Sequence, residues 1–217
     1  PILLNLEEEK VLTLCALIDQ RSLEIIELKN DIRNIDINLI TENIYSIIEC
    51  KFNIPKLFAI QSISSIIRIK SNILDEETTN FYLNAAFCYI NEDDSHLFGI
   101  TIKIIFELLN TDNANVYNSI LNNDNVILAL KKGLSFPETT IQITSVKSLC
   151  MMIISMDIIM HNKILFYGVI EDIISIANEG NTETKIMTVE AISRIFYNDE
   201  SPLQKEVLEK GGLEFLI

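Results

Sequence analysis

The sequence predicts an all-α fold, a right-handed α-solenoid of four to five stacked repeats, and three observations carry that prediction. The first is a recurrence: Gly168-Val169-Ile170-Glu171-Asp172-Ile173-Ile174 returns 43 residues later as Gly211-Gly212-Leu213-Glu214-Phe215-Leu216-Ile217. A further 43 residues back, Asn125-Val126-Ile127-Leu128-Ala129-Leu130-Lys131 has apolar residues at the same places. A fixed period of this length marks helical units that stack one on the next. The second is apolar spacing at i, i+3, i+4 along most of the chain, with no period-two alternation long enough to make a strand. The third is composition. Hydrophobic residues make up 48% of the chain, whereas four prolines, six glycines and no tryptophan leave little for a turn-rich β architecture.

Taken in order, the first helix is expected from about Leu6 to Ile18, with Glu7, Glu8 and Glu9 in the opening turn, where negative charge suits the helix dipole. Ser22 opens a second helix to about Arg33, with Leu23, Ile25 and Ile26 inward. A third runs from Asp36 to Cys50 on Ile37, Ile40, Ile44, Ile47 and Ile48. Pro55, tolerated in a first helical turn, starts a helix that ends near Lys70. Asp75-Glu76-Glu77 is a loop or an opening turn, and Phe81 to Ile90 is apolar almost throughout until Asn91-Glu92-Asp93-Asp94-Ser95 breaks it.

A long helix from His96 to Leu109 follows, then a short one around Val116 to Leu121, then Leu128 to Leu134. Pro137 opens a long helix from about Glu138 to Ser155; Asp157 to Tyr167 and Gly168 to Ala177 make the next two. Gly180 supplies a stop signal, and Thr182 to Tyr197 is the last long helix. Ser201-Pro202-Leu203-Gln204 reads as a start, with Ser201 as N-cap, proline at the first position and Gln204 placed to bond back.

The long helices align on a small residue followed by a large aliphatic one (Ala16-Leu17, Ser65-Ile66, Ser148-Leu149, Ala191-Ile192), with Ile104-Ile105 in the third place. The aliphatic anchors at 17, 66, 105, 149 and 192 lie 49, 39, 44 and 43 residues apart. Val189-Glu190-Ala191-Ile192-Ser193, followed by Leu203-Gln204-Lys205-Glu206-Val207-Leu208-Glu209-Lys210-Gly211-Gly212-Leu213, resembles an armadillo repeat. In that family a long third helix carries an Ala-Leu step, and a short helix leads through glycine into Gly-(Gly/Ala)-(Leu/Ile)-x-x-Leu. Residues 125–217 carry the resemblance. HEAT repeats are the near neighbour, with two helices per unit rather than three.

The resemblance implies a single array over residues 1–217, in units of about 6–50, 51–90, 95–134, 138–177 and 182–217. No unit buries its apolar faces alone, so stacking supplies the core. At roughly 10 Å between packed helices, the array would be on the order of 40–50 Å long. The resemblance further implies a concave groove lined by the long helices.

Armadillo proteins that bind nuclear-import signals present a Trp from the long helix and, four residues on, an Asn. The places that correspond to the Trp hold Cys15, Ser64, Lys103, Lys147 and Glu190; those that correspond to the Asn hold Asp19, Arg68, Glu107, Met151 and Arg194. With neither residue type present there, that mode of binding is excluded. The basic groove of β-catenin-like members fits a chain of net charge −14 no better.

The same charge argues against a phosphate backbone as ligand, because that binding needs clustered Lys and Arg. It favours a protein or peptide partner of basic character. Cys15, Cys50, Cys88 and Cys150 stand far apart in apolar helical patterns, so buried thiols are expected rather than a zinc or redox site. His96 and His161 lack a second ligand at metal spacing and are expected at the surface or in caps. No metal site, no cofactor loop and no catalytic motif is present. The longest apolar run, Leu149 to Met160, is interrupted by Asp157 and too short to span a bilayer. Beginning at Pro1 without a signal peptide, the chain reads as a fragment of a cytoplasmic protein, without direct membrane insertion.

The functional expectation is a non-catalytic scaffold or adaptor that binds its partner in the concave groove. The candidate contact residues are Arg68, Lys103, Glu107, Lys147, Met151, Glu190 and Arg194, all placed at exposed positions of the long helices. Lys103/Glu107 and Glu190/Arg194 are spaced for i, i+4 ion pairs, which are ordinarily solvated helix faces. Alternatives of the same class are an armadillo domain that holds a client such as a motor domain, or a scaffold tethered to an organelle membrane by lipidation upstream. The alternative of another class is a regulatory array of a larger enzyme. The stretch around Leu213, Phe215 and Leu216 is expected to expose apolar surface.

Overall fold

Breaks rich in Asn and Asp become helix caps. The computed structural model describes residues 44, 48, 53–70, 74–155, 157–197 and 201–215. Among them are ten α-helices and no strand: α1 (Asn53–Lys70), α2 (Glu76–Phe87), α3 (Ser95–Leu109), α4 (Ala114–Leu121), α5 (Asp124–Leu134), α6 (Thr139–Ile154), α7 (Ile158–Phe166), α8 (Val169–Glu179), α9 (Thr182–Ile195) and α10 (Leu203–Glu209), before a 3-10 turn, Gly212–Phe215. The helices expected before Asp36 lie outside the described residues, as do Cys15, Asp19 and Cys50; in the expected third helix, Ile44 is helical and buried.

Asp75 opens α2 by accepting from Thr78 N at 2.8 Å, with Glu76 and Glu77 in the first turn. Asp94 opens α3 by accepting from His96 N and Leu97 N at 2.9 and 3.0 Å. Asn113, Asn123, Asp157 and Asn181 cap α4, α5, α7 and α9 in the same way. Each cap of this kind is worth about 1 kcal/mol. The acidic and Asn-rich stretches are therefore local punctuation.

The long helices stack in sequence, α1 on α3, α3 on α6 and α6 on α9. Behind them, α5 packs on α6 and α8 on α9, while α4 packs on α2 and α3, and α10 on α7 and α8. The aliphatic anchors Ile66, Ile105, Leu149 and Ile192 are all buried in one continuous core, as their register requires. Complete burial of each is worth roughly 1.5–3 kcal/mol. Gly133 of α5 sits where a Cβ would lie 2.0 Å from Ser145 Oγ of α6, so its lack of a side chain lets the two helices close on each other.

The recurrence at 43 residues has a backbone cause. Gly168 (φ 64°) and Gly211 (φ 78°) both adopt the left-handed conformation that glycine reaches without penalty. One repeat earlier, Asn125 is already inside α5, whose cap is Asn123. Gly180 ends α8 for another reason than a left-handed turn: its φ is −64°. A Cβ there would meet Ile176 O and Thr184 Oγ1, each at 2.5 Å.

Polar links about one repeat apart tie the stack. Lys132 Nζ donates back to Ile90 O at 3.2 Å and Glu92 O at 2.9 Å, and Lys131 Nζ donates forward to Tyr167 O at 2.7 Å. Asp124 takes Lys163 and, at 2.9 Å, the Tyr167 hydroxyl.

Three expectations are corrected. His161 is fully buried rather than at the surface: Nε2 donates to Ile153 O at 2.8 Å and Nδ1 accepts from the Ser201 hydroxyl at 2.9 Å. Ser201 is thereby drawn into the core, where its Oγ also accepts from Leu203 N at 3.3 Å, and Pro202, expected at the first helical position after a Ser201 cap, itself stands at the cap of α10. Gln204 Nε2 reaches Ile195 O at 3.2 Å. Cys88 is exposed, because α2 ends at Phe87 and the apolar run continues past the helix into a turn. Cys150 is buried as expected. Leu213 is exposed; the Phe215 side chain and Leu216 fall outside the description.

Candidate functional site

Seven residues separate Gln61 from Arg68, His96 from Lys103 and Thr140 from Lys147, two helical turns in each case, so each long helix presents one polar stripe. The stripes of α1, α3 and the start of α6 lie together and line a cleft of about 610 Å³. Its walls include Gln61, Ser64, Arg68, His96, Lys103 and Glu107, closed on the α6 side by Glu138, Thr140 and Thr144. Gly99 lies in the middle of the α3 stripe; a Cβ there would stand 3.6 Å from Ile141 Cδ1. Leaving it out keeps the floor low.

Of the seven candidates, Arg68, Lys103 and Glu107 line this cleft. Lys147 and Met151 continue the stripe along α6, and Glu190 and Arg194 do so along α9. Lys147 is half-buried and its Nζ reaches Glu183 Oε1 at 2.6 Å, which joins α6 to α9. Met151 is half-buried. The expected pair Glu190–Arg194 is present, exposed, at 3.8 Å. The Arg194 guanidinium also lies over the Tyr197 ring, 5.9 Å from its centroid.

The expected Lys103/Glu107 pair is replaced by another. Glu107 is 7% exposed rather than a free surface position, and its partner is Arg68 of the preceding long helix. The superhelix brings α1 against α3 and turns Glu107 into their seam, while Lys103, one turn earlier, stays exposed and has no ion pair among the described residues. The Glu107 carboxylate raises the Arg68 pKa by hydrogen bonding and charge, against the opposing effect of partial desolvation. Gln61 Nε2 donates to His96 Nε2 at 2.8 Å, a second link between α1 and α3.

The cleft's polar rim was readable as far as its middle. Extending each stripe two turns towards the helix N-terminus finds Gln61, His96 and Thr140, which the choice of two positions per helix left out. Among the described residues no cluster of three or more His, Cys, Asp or Glu side chains is placed to hold a metal ion, and no helix is long and apolar enough to cross a membrane.

No protein-family model matches the sequence. No curated protein matches it either. Among solved structures it is similar to a designed armadillo repeat protein, YIII(Dq)4CqI, with a TM-score of 0.67 at 13% identity, over 98% of this chain and 87% of that one. Identity that low speaks for the fold alone. Together with the ladder of long helices and their anchor register, it makes this chain an armadillo-type α-solenoid.

Proposed function

We propose that the chain is a non-catalytic recognition scaffold that binds an extended protein segment of basic character along the long-helix face, entering at the cleft between α1, α3 and α6. The observation that carries this reading is the cleft itself: an open trough with a polar rim over an apolar floor of Ile100, Ile104 and Ile141, which also belong to the core. Lys103 and Thr140, both exposed, present hydrogen-bonding groups to whatever lies there. The net charge of −14 supports a partner with positive charge, whose encounter is steered at long range and slowed by salt.

The test pairs two substitutions in the cleft, Glu138→Lys and Thr140→Arg, which set positive charge against a basic partner, with a control on α10, Lys205→Glu. All three sites are exposed, so helicity and melting temperature stay close to wild type. Proteins captured from source cells by the wild-type chain should be lost with both cleft variants, kept with the control, and reduced as salt rises. A partner kept by both cleft variants would move the binding surface elsewhere.

A further inference from the structure

The cleft carries opposite charge at its two ends. Gly99 faces Ile141, and Ile102 and Ser145 meet over Gly133, so α3 and α6 run side by side in one direction. Gln61 with His96, and Arg68 with Glu107, show the same for α1 and α3. One end of the cleft therefore lies towards the starts of α3 and α6. Glu138 stands there, one turn before Ile141, exposed and accepting from the Thr140 hydroxyl at 2.9 Å, with no ion pair among the described residues. Towards the other end, one turn beyond Gly99, stands Lys103, exposed and likewise without an ion pair among them. Arg68, half in solvent, lies at that end too, and the carboxylate that answers it, Glu107, is sunk in the seam.

Lys103 is out of place in a trough for cations alone. Glu107 is spaced to pair with it and turns to Arg68 instead, so an exposed ammonium is left facing the ligand. Against a run of cations it repels; against a carboxylate it fixes the register. The distance between the two free charges follows from the helices. With Ile141 level with Gly99, Glu138 is level with His96, and seven residues along α3 separate that level from Lys103. At 1.5 Å per residue this is about 10 Å. An extended segment advances about 3.3 Å per residue, so three residues cover it. In the polyproline conformation, residues three apart also share a face.

We infer that the cleft takes a segment in one register: a Lys or Arg against Glu138, an apolar side chain over the floor at Gly99, and an Asp or Glu, three residues from the cation, against Lys103. The partner is thus basic overall but carries a carboxylate at one fixed place. This deepens the proposed groove binding and rests on it.

The probes are short fluorescein-labelled peptides with one Arg, one Glu and a Leu between them, in a background of Ser and Pro. Arg and Glu are set two to five residues apart, in either order. Binding to the full 217-residue chain, read by fluorescence anisotropy, should peak at a separation of three in one of the two orders. Replacing the Glu of that peptide by Gln should weaken it about three-fold, the scale of an exposed ion pair. Lys103→Glu in the chain should remove the preference for Glu over Gln. Lys103→Glu combined with Glu138→Lys should favour the opposite order at the same separation. Both side chains are exposed, so unchanged circular dichroism checks that the variants fold. If the Gln peptide binds as tightly as the Glu peptide while Glu138→Lys weakens both, the carboxylate site is overturned and groove binding stands. If Glu138→Lys leaves every peptide unaffected, or none binds saturably, groove binding at these rungs falls and the inference falls with it.

Discussion

Removing the Arg68 side chain tests how the cleft is built. The Glu107 side chain is 8% exposed and that of Arg68 49%, so the pair is asymmetric: one charge is out of water, the other half in it. Breaking a fully buried pair costs about 3–5 kcal/mol, and an exposed one is worth about 0–1 kcal/mol. Arg68→Ala leaves a buried carboxylate without its cation and should cost about 2 kcal/mol, between those limits. Glu107→Ala leaves only an arginine that can turn into water, and should cost about 1 kcal/mol. The double variant should cost little more than Glu107→Ala alone, a coupling of roughly 1–2 kcal/mol. Glu107→Lys, which looks like a harmless surface reversal from the sequence, should be the most damaging, at about 3 kcal/mol or more, because it sets two cations face to face in the seam. The assay is urea unfolding followed by circular dichroism. Hydrogen exchange on α1 and α3 accompanies it, since repeat arrays do not always unfold as one unit. Equal and additive costs for Arg68→Ala and Glu107→Ala, no larger than for disrupting Glu190–Arg194, would refute the reasoning.

His161→Ala should cost about 2–4 kcal/mol, since it opens a cavity and strands Ile153 O and the Ser201 hydroxyl. Ser201→Ala should cost roughly 1 kcal/mol, and in both variants the amides at the start of α10 should exchange faster. For the thiols, peptide mapping after iodoacetamide at pH near 8 should find Cys88 labelled and Cys150 protected until the chain unfolds, because burial pushes the Cys150 thiol up to about 12. That pKa lies above the ordinary value of 9.0, so the contribution of Cys150 to stability is complete below pH 9.0 and drains away as pH rises towards 12. Cys150→Ala should flatten the alkaline loss, and an unchanged slope would count against burial as its cause.

What the sequence made legible is what obeys helical period and cap chemistry. Ile66, Ile105, Leu149 and Ile192 are core because each sits on a 3.6-residue apolar stripe, and no partner need be known to see it. The stretches that hold Asp75 and Asp94 are legible as breaks or opening turns, and each becomes a helix start because its short side chain bonds to free N–H groups a few residues on. What stayed hidden depends on how one repeat meets the next. Nothing in the spacing of Lys103 and Glu107 says that Glu107 will turn to Arg68, 39 residues back. Lys131 and Lys132 look like two surface lysines at a helix end, yet they bond carbonyls of the following and the preceding repeat. His161 is polar within an apolar stretch, and only the fold shows that both of its nitrogens find partners inside. Local signals give the rungs; superhelical geometry decides which charges face each other across them.

That division bears on specificity. A fold shared with a designed repeat protein at 13% identity rests on pattern rather than on particular residues. In a designed array of like repeats, successive long helices can present the same residues to a ligand, and a repeating ligand suits them. Here the corresponding pairs are Ser64 and Arg68, Lys103 and Glu107, Lys147 and Met151, then Glu190 and Arg194, no two alike. Three of these eight side chains, Arg68, Glu107 and Lys147, are already committed to ties between neighbouring helices. The long-helix face therefore offers a different chemistry at each rung. Under the proposed function, a partner is read by the order of its side chains, and a segment of repeated basic residues would match some rungs and clash with others. Scrambling a bound segment at constant composition should then cost most of its affinity, measured by fluorescence anisotropy. Equal binding by the scrambled segment would show that net charge alone holds it.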